Sequence, residues 1–242
     1  MVNHASNVTG SIAPVDIIAE IVHKYGSRIL VDAAQTAGAY PIDAASGDID
    51  MLAFTGHKSL LGPQGTGGLC VREGIELAPF LRGGTGSNSE KEIQPDFLPD
   101  QFESGTLNII GLAGLGAGVQ YVLEKGVSNI RREEMKLTGM FIRGVEKIEG
   151  VELHGPGDMN KRVSVVSFNI TRYAPSTVAY LLDKHFDIAC RSGLHCAPSA
   201  HATIGTHPQG TVRFAFGCFN NAAEVKKGLT ALNEISRKEI VN

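Results

Sequence analysis

Two short apolar runs each lead into a residue able to do chemistry. Arg28-Ile29-Leu30-Val31 leads into Asp32, and Met51-Leu52-Ala53-Phe54-Thr55-Gly56-His57 leads into Lys58. Lys58 offers an amine able to form an imine. Asp32 offers a carboxylate able to hold a pyridine nitrogen protonated, which turns the ring into an electron sink. Pyridoxal phosphate (PLP) chemistry needs both. Each residue also has an ordinary explanation: a lysine after a strand is commonly solvated, and a carboxylate at a strand end often caps the next helix. The pair carries more weight than either member. Its neighbours suit a ligand, since Thr55, Gly56, His57 and Ser59 are small, hydroxylated or polar. Gln35 stands about one turn beyond Asp32, where its amide could reach a ring hydroxyl.

A second group of candidates lies far along the chain. Cys196 ends the segment Arg191-Ser192-Gly193-Leu194-His195-Cys196, which is polar, contains glycine and reads as a loop. A free cysteine is commonly a small hydrophobe. A nucleophilic one needs a lowered pKa or a nearby base, and His195 and Arg191 are the local candidates. Cys190, His195, Cys196, His201 and His207 are all potential metal ligands, but their spacing fits no standard zinc pattern, and no metal is expected. Arg213 lies in the alternating run Thr211-Val212-Arg213-Phe214-Ala215-Phe216. It is either an exposed strand position or a bidentate carboxylate clamp. Ser104-Gly105-Thr106 precedes a helical stretch, and is either a phosphate site at a helix start or a simple cap.

The elements that must position these residues alternate in type. Pro14 to Tyr25 predicts a helix, with Ile17, Ile18, Ile21 and Val22 on one face and Gly26 as its stop. Ile29–Val31 and Ile49–Phe54 predict buried strands joined by a crossover, with a turn at Ser46-Gly47-Asp48. Strands alternating with helices predict a parallel sheet, and ligands of such sheets bind beyond the carboxyl ends of the strands. Asp32 and Lys58 both fall there. Gly65–Val71 predicts a further strand, Gly83–Asp100 a long functional or docking loop, Asn108–Glu124 a closely packed apolar helix, and Ser128–Ile148 an amphipathic one. Beyond these, Val163–Ile170, Ile188–Cys190 and Thr211–Phe216 predict strands. Ser176–Phe186, capped by Ser176, and Ala222–Arg237 predict helices. The fold class is α/β over residues 1–125 and α+β over residues 126–242, with the boundary near Gly126.

Bulk composition narrows the function classes. The 242 residues are 43% hydrophobic and 19% charged, as in a globular protein with a substantial core. A net charge of −3 and the absence of Trp argue against nucleic acid or an acidic membrane as partner. No apolar run approaches the roughly 20 residues of a spanning helix, and the first residues lack the pattern of a secretory signal. Four cysteines in a chain this long do not suggest a disulfide framework, so a reducing, cytoplasmic setting is expected.

Taken in order, His4-Ala5-Ser6-Asn7-Val8-Thr9-Gly10, Val31-Asp32-Ala33-Ala34-Gln35, Thr55-Gly56-His57-Lys58, Phe102-Glu103-Ser104-Gly105-Thr106-Leu107-Asn108, Arg191 to Pro198 and Val212-Arg213-Phe214 resemble the aminotransferase class V family. This family has PLP fold type I, and the likeness is to its cysteine desulfurase and selenocysteine lyase branch. The resemblance implies a PLP enzyme that converts L-cysteine to L-alanine and leaves a persulfide on Cys196. Lys58 would carry the cofactor and move protons. Asp32 would pair with the pyridinium, and Gln35 and Asn7 would lie near the ring oxygen and substrate. Thr55 and His57 would bind phosphate, and Thr106 would reach the phosphate of the other subunit in a homodimer. Arg213 would hold the substrate carboxylate, and an acceptor protein would take the sulfur for iron–sulfur clusters and thio-cofactors. The resemblance also implies that the N-terminal part of the family's large domain is lacking, so that the large domain is incomplete. Two other readings stand beside this one: selenocysteine lyase or another PLP β-elimination, and a non-catalytic interaction module.

Overall fold

The computed structural model describes residues 1–45 and 48–237. Four strands form the first sheet: β1 (Val2–Asn3), β2 (Leu30–Asp32), β3 (Met51–Thr55) and β4 (Gly67–Val71), in that spatial order. β1, β2 and β3 are parallel, with Val31 beside Leu52 and Asp32 beside Ala53. β4 returns antiparallel along β3. Helix α1 (Val15–Lys24) lays Val15 and Ala19 over Ile29, Val31 and Leu52. Pro14 precedes it and Gly26, at φ +66°, follows it, as expected. The predicted crossover between β2 and β3 is built from turns rather than a helix among the described residues. Of its predicted Ser46-Gly47-Asp48 turn, Ser46 and Gly47 lie outside the described residues.

One buried carboxylate fixes the far end of this sheet. Asp50 accepts from the Ile29 backbone at 2.7 Å and from the His23 ring at 2.8 Å, and it is paired with Arg72. Burial alone would raise its pKa. The Ile29 N–H, His23 and Arg72 outweigh burial and hold it below the ordinary value. This junction ties α1, β2, β3 and β4 together at the end opposite Asp32 and Thr55.

Beyond the first sheet the chain forms α2 (Ile109–Lys125) and α3 (Val127–Val145), which meet at Gly126, where φ is +79°. The second sheet contains β5 (Val151–His154), β6 (Val165–Ile170), β7 (Arg191–Gly193) and β8 (Thr211–Ala215), all antiparallel in the order β5-β6-β8-β7. Helices α3, α4 (Pro175–Phe186) and α6 (Ala222–Arg237) supply the rest of its core. Phe141, Phe168, Phe214 and Phe216 are its aromatic centre, with ring centroids 5.2 to 6.0 Å apart. Burial of this apolar surface is the main favourable contribution, about 25 cal/mol per Å².

Several expectations are corrected. Ser176 does not cap α4: Ala174 does, because Pro175, with its fixed φ and no N–H, takes the first helical position. Ile188–Cys190 is not a strand. Ile188 and Cys190 pack on the core, while the hydrogen-bonded ladder begins one residue later, at Arg191. Helix α2 is not closely packed all round, since Ile109, Ile110 and Leu123 are exposed. Strand β5 and the short helix α5 (Pro198–Thr203) carry no periodic signal in the sequence.

The N-terminal segment after β1 binds to the second sheet. Ser167 Oγ donates to the Val8 carbonyl at 2.6 Å, Val163 N–H to the Gly10 carbonyl at 2.8 Å, and Ile12 N–H to the Lys161 carbonyl at 2.9 Å. Gly10 has φ +73°, and a Cβ there would lie 2.7 Å from the Val165 carbonyl oxygen. Only glycine allows this approach, and it delivers Asn7 to the region between the sheets.

Candidate active site

β2 and β3 are parallel and in register, so Asp32 and Thr55 close the same edge of the sheet. Asp32 Oδ1 accepts from the Ala34 N–H at 2.9 Å, so it caps its turn. After β3 the chain folds back at Gly56, whose N–H bonds the Thr66 carbonyl at 2.8 Å. A Cβ at Gly56 would collide with Thr66 Oγ1. This tight turn presents Lys58. Thr55 Oγ1 and His57 Nδ1 lie 2.8 Å apart at its start.

Lys58 as a whole residue is exposed, yet burial of its amine is the largest influence on it and lowers its pKa. The Asp32 carboxylate acts in the opposite sense, and the Arg213 guanidinium adds to the lowering. Asp32, Lys58 and Arg213 therefore share one electrostatic neighbourhood, although Lys58 and Arg213 come from different sheets. Gln35, Lys58 and Arg213 also line one cavity of about 380 Å³, joined by Glu134, Ser164 and Cys218.

Arg213 is half-buried, not an exposed strand position. Its Nη1 donates to the Asn7 carbonyl at 2.8 Å. Asn7 Nδ2 in turn donates to the His195 carbonyl at 2.6 Å. Asn7 thus joins the guanidinium to the cysteine loop, and Asn7 and Cys196 line a second cleft of about 490 Å³. Cys196 is exposed. Its candidate partners sort differently from the expectation. His195 is buried, its Nε2 lies 3.1 Å from both oxygens of Thr211, and burial first, then Arg213 and His201, lower its pKa to about 4. No hydrogen bond joins its ring to the Cys196 thiol among the described residues. Arg191 pairs with Arg213 across the ladder. The cation that responds to Cys196 is Arg213.

Thr106 does not stand at a helix start. α2 begins at Ile109 and its cap is Asn108, whose Oδ1 accepts from Gly111 N–H at 3.0 Å. Thr106 is exposed on the preceding bend and lines neither cleft. Among the described residues, no three His, Cys, Asp or Glu side chains are placed to hold a metal ion, and no helix is long and apolar enough to cross a membrane.

Glu134, Ser164 and Cys218 are not among the residues expected from the sequence. Glu134 is 5% exposed on α3, and its carboxylate accepts from Ser164 Oγ at 2.9 Å. Burial raises its pKa to about 7, against the opposing effects of Ser164 and Arg131. Burial, and next Glu134, raise the Cys218 thiol.

An amine, a carboxylate and a hydroxyl–imidazole pair at the ends of β2 and β3, with a guanidinium from β8 acting on the amine, fit the polar groups of PLP. The lowered amine of Lys58 beside Asp32 is the feature that fits best.

The comparisons with known proteins agree with this chemistry. The family model for aminotransferase class-V matches residues 1–227. A probable cysteine desulfurase of Methanothermobacter thermautotrophicus is 37% identical over 241 residues, which is 97% of this chain and 60% of that protein. A cysteine desulfurase of Escherichia coli is 34% identical, over 98% of this chain and 58% of its own length. Among solved structures, the apo cysteine desulfurase of Thermococcus onnurineus superposes with a TM-score of 0.88 at 37% identity, covering 98% of this chain and 59% of that one. The chain therefore spans about 60% of the length of the relatives it matches.

Proposed function

The chain belongs to the aminotransferase class-V family, and from that premise we propose a PLP-dependent cysteine desulfurase. L-cysteine and the Cys196 thiol give L-alanine and a Cys196 persulfide: the substrate C–S bond breaks, an S–S bond forms at Cys196, and the thiol proton balances the new C–H bond. The observation that carries this reading is that Asp32 and Arg213 both act on Lys58 across the two sheets, with the Cys196 loop tied to Arg213 through Asn7.

Bound PLP supplies an aldehyde and an electron-withdrawing pyridinium, which weaken bonds near the amine of an amino acid. Lys58 Nζ holds the cofactor and moves a proton, and burial favours the uncharged amine it needs. Asp32 keeps the ring nitrogen protonated. Gln35 and Asn7 orient the ring oxygen and the substrate, and Thr55 with His57 takes the phosphate. Thr106 serves the phosphate site of the second subunit in a homodimer. Arg213 grips the substrate carboxylate, and Cys196 takes the sulfur and passes it to an acceptor protein in a reducing, cytoplasmic setting. Residues 1–125 act as the cofactor-binding portion and 126–242 as the unit carrying the cysteine.

The test mixes the protein with PLP and L-cysteine and follows the PLP absorbance, alanine and Cys196-bound sulfur. Lys58→Ala loses the lysine-dependent absorbance band. Cys196→Ala keeps it and forms no persulfide. Failure to make alanine, both alone and when co-refolded with the N-terminal portion of a relative, overturns the reading.

A further inference from the structure

Cys196 sits on a loop held against its own backbone preference. His195 and Cys196 are consecutive, with φ of +49° and +61°. L-residues leave this left-handed region unless their surroundings fix them. Two contacts do so: Asn7 holds the His195 carbonyl, and Thr211 pins the His195 ring. A carbonyl oxygen only accepts, so the Thr211 contact places the proton of neutral His195 on Nε2 and leaves Nδ1 bare.

A second imidazole lies behind the first. His201 on α5 is fully buried, its ring centroid 5.6 Å from that of His195, with Nδ1 2.7 Å from Thr206 Oγ1. A third, His154 at the end of β5, is close enough for its charge to act on His201. His154 Nε2 and His201 Nε2 are both buried without a hydrogen-bond partner. Imidazolium donates from both nitrogens, so charging either ring would leave a buried N–H unmatched. The facing groups add to this. Arg213 and Arg191 bear on His195, and His154 and His207 on His201. In the opposite sense stand the Leu194 backbone, which favours the charged form of His201, and Glu152 on β5, which acts on His154.

We propose that this buried histidine stack is the latch of the Cys196 loop: His195 and His201 are positioning residues that hold the thiol in place only while uncharged, and proton uptake releases it. Its meaning for sulfur transfer rests on the desulfurase reading; the latch itself does not.

Hydrogen exchange of the full chain, without cofactor or substrate, tests the latch at pH 7.5 and 5.0 after correction for intrinsic rates. His195, with a pKa near 4 when closed and about 6.5 when released, raises the opening equilibrium roughly thirtyfold at pH 5.0. Residues 191–206 should exchange faster by about that factor, while β6 stays protected. Equal exchange at both pH values, or loosening of β6 in step, overturns the latch. His195→Gln, which cannot charge, should lose most of the response. Should that variant not fold, the histidine Cε1–H signals of the parent chain decide, and His195 or His201 titrating at or above about 6.5 overturns the proposal. Neither measurement reads alanine, so failure of the desulfurase reading is recognised separately, by absence of product at pH 7.5.

Discussion

Glu134→Gln should stabilise the chain, by an amount that grows as pH rises from about 4.5 to about 7. Glu134 is 5% exposed and its pKa in the folded chain is about 7, against 4.5 ordinarily. A carboxyl raised on folding contributes most where it is protonated in both states, below about pH 4.5. That contribution is lost as pH rises through about 7, because the unfolded chain ionises freely and the folded chain does not. The gap of about 2.5 units corresponds to at most about 3.4 kcal/mol, at 1.36 kcal/mol per unit. Glutamine cannot ionise, can still accept from Ser164, and fits the same space. At pH 8 the variant should be more stable by about 2–3 kcal/mol, or roughly 5–10 °C in Tm for a chain of this size. At pH 5 the gap should fall to about 1 kcal/mol or less. Thermal melts of both proteins at the two pH values measure this. A gap that does not change with pH, or a variant less stable at pH 8, would show that folding does not raise the Glu134 carboxyl and refute the reasoning.

Other expectations concern the frame of the site. Asp50→Asn removes the buried carboxylate shared by the Ile29 N–H, His23 and Arg72 and should destabilise by about 1–3 kcal/mol, read from urea unfolding with an unchanged slope. Gly10→Ala places a Cβ against the Val165 carbonyl at positive φ. It should cost roughly 1–3 kcal/mol and raise exchange in residues 4–12. Arg213→Lys keeps the charge but loses the planar fork; KM for cysteine should rise about tenfold or more while PLP binding is retained, measured by steady-state alanine formation. The rate of PLP capture should rise with pH around a midpoint below 10.5, since burial lowers the Lys58 pKa; stopped-flow absorbance gives the profile.

The strand ends are legible because parallel sheets concentrate ligands there, and the apolar runs before Asp32 and Lys58 are unambiguous. Periodicity alone could also have placed Glu134, which lies four residues after Ile130 and three before Leu137, on the buried stripe of α3. The charged run Arg131-Arg132-Glu133-Glu134 conceals it as a solvated face. The histidine stack has no local signal, since His154, His195 and His201 sit on three different elements. The strand beside the cysteine loop starts one register step later than its apolar residues suggest, because Ile188 and Cys190 are apolar for packing rather than for strand pairing. Asn7 is placed by resemblance, since nothing near residue 7 indicates a partner around residue 195 or 213.

That last distance has a consequence for how the site comes into being. Asn7 meets His195 and Arg213 across separations of 188 and 206 residues. Closing loops of this length is entropically unfavourable and must precede any reward from the contact. During synthesis, Asn7 leaves the ribosome first and waits through nearly the whole chain for β8. An incomplete nascent chain therefore lacks the contacts that join Asn7 to the Cys196 loop and to Arg213, and both form only after Arg213 itself has been made.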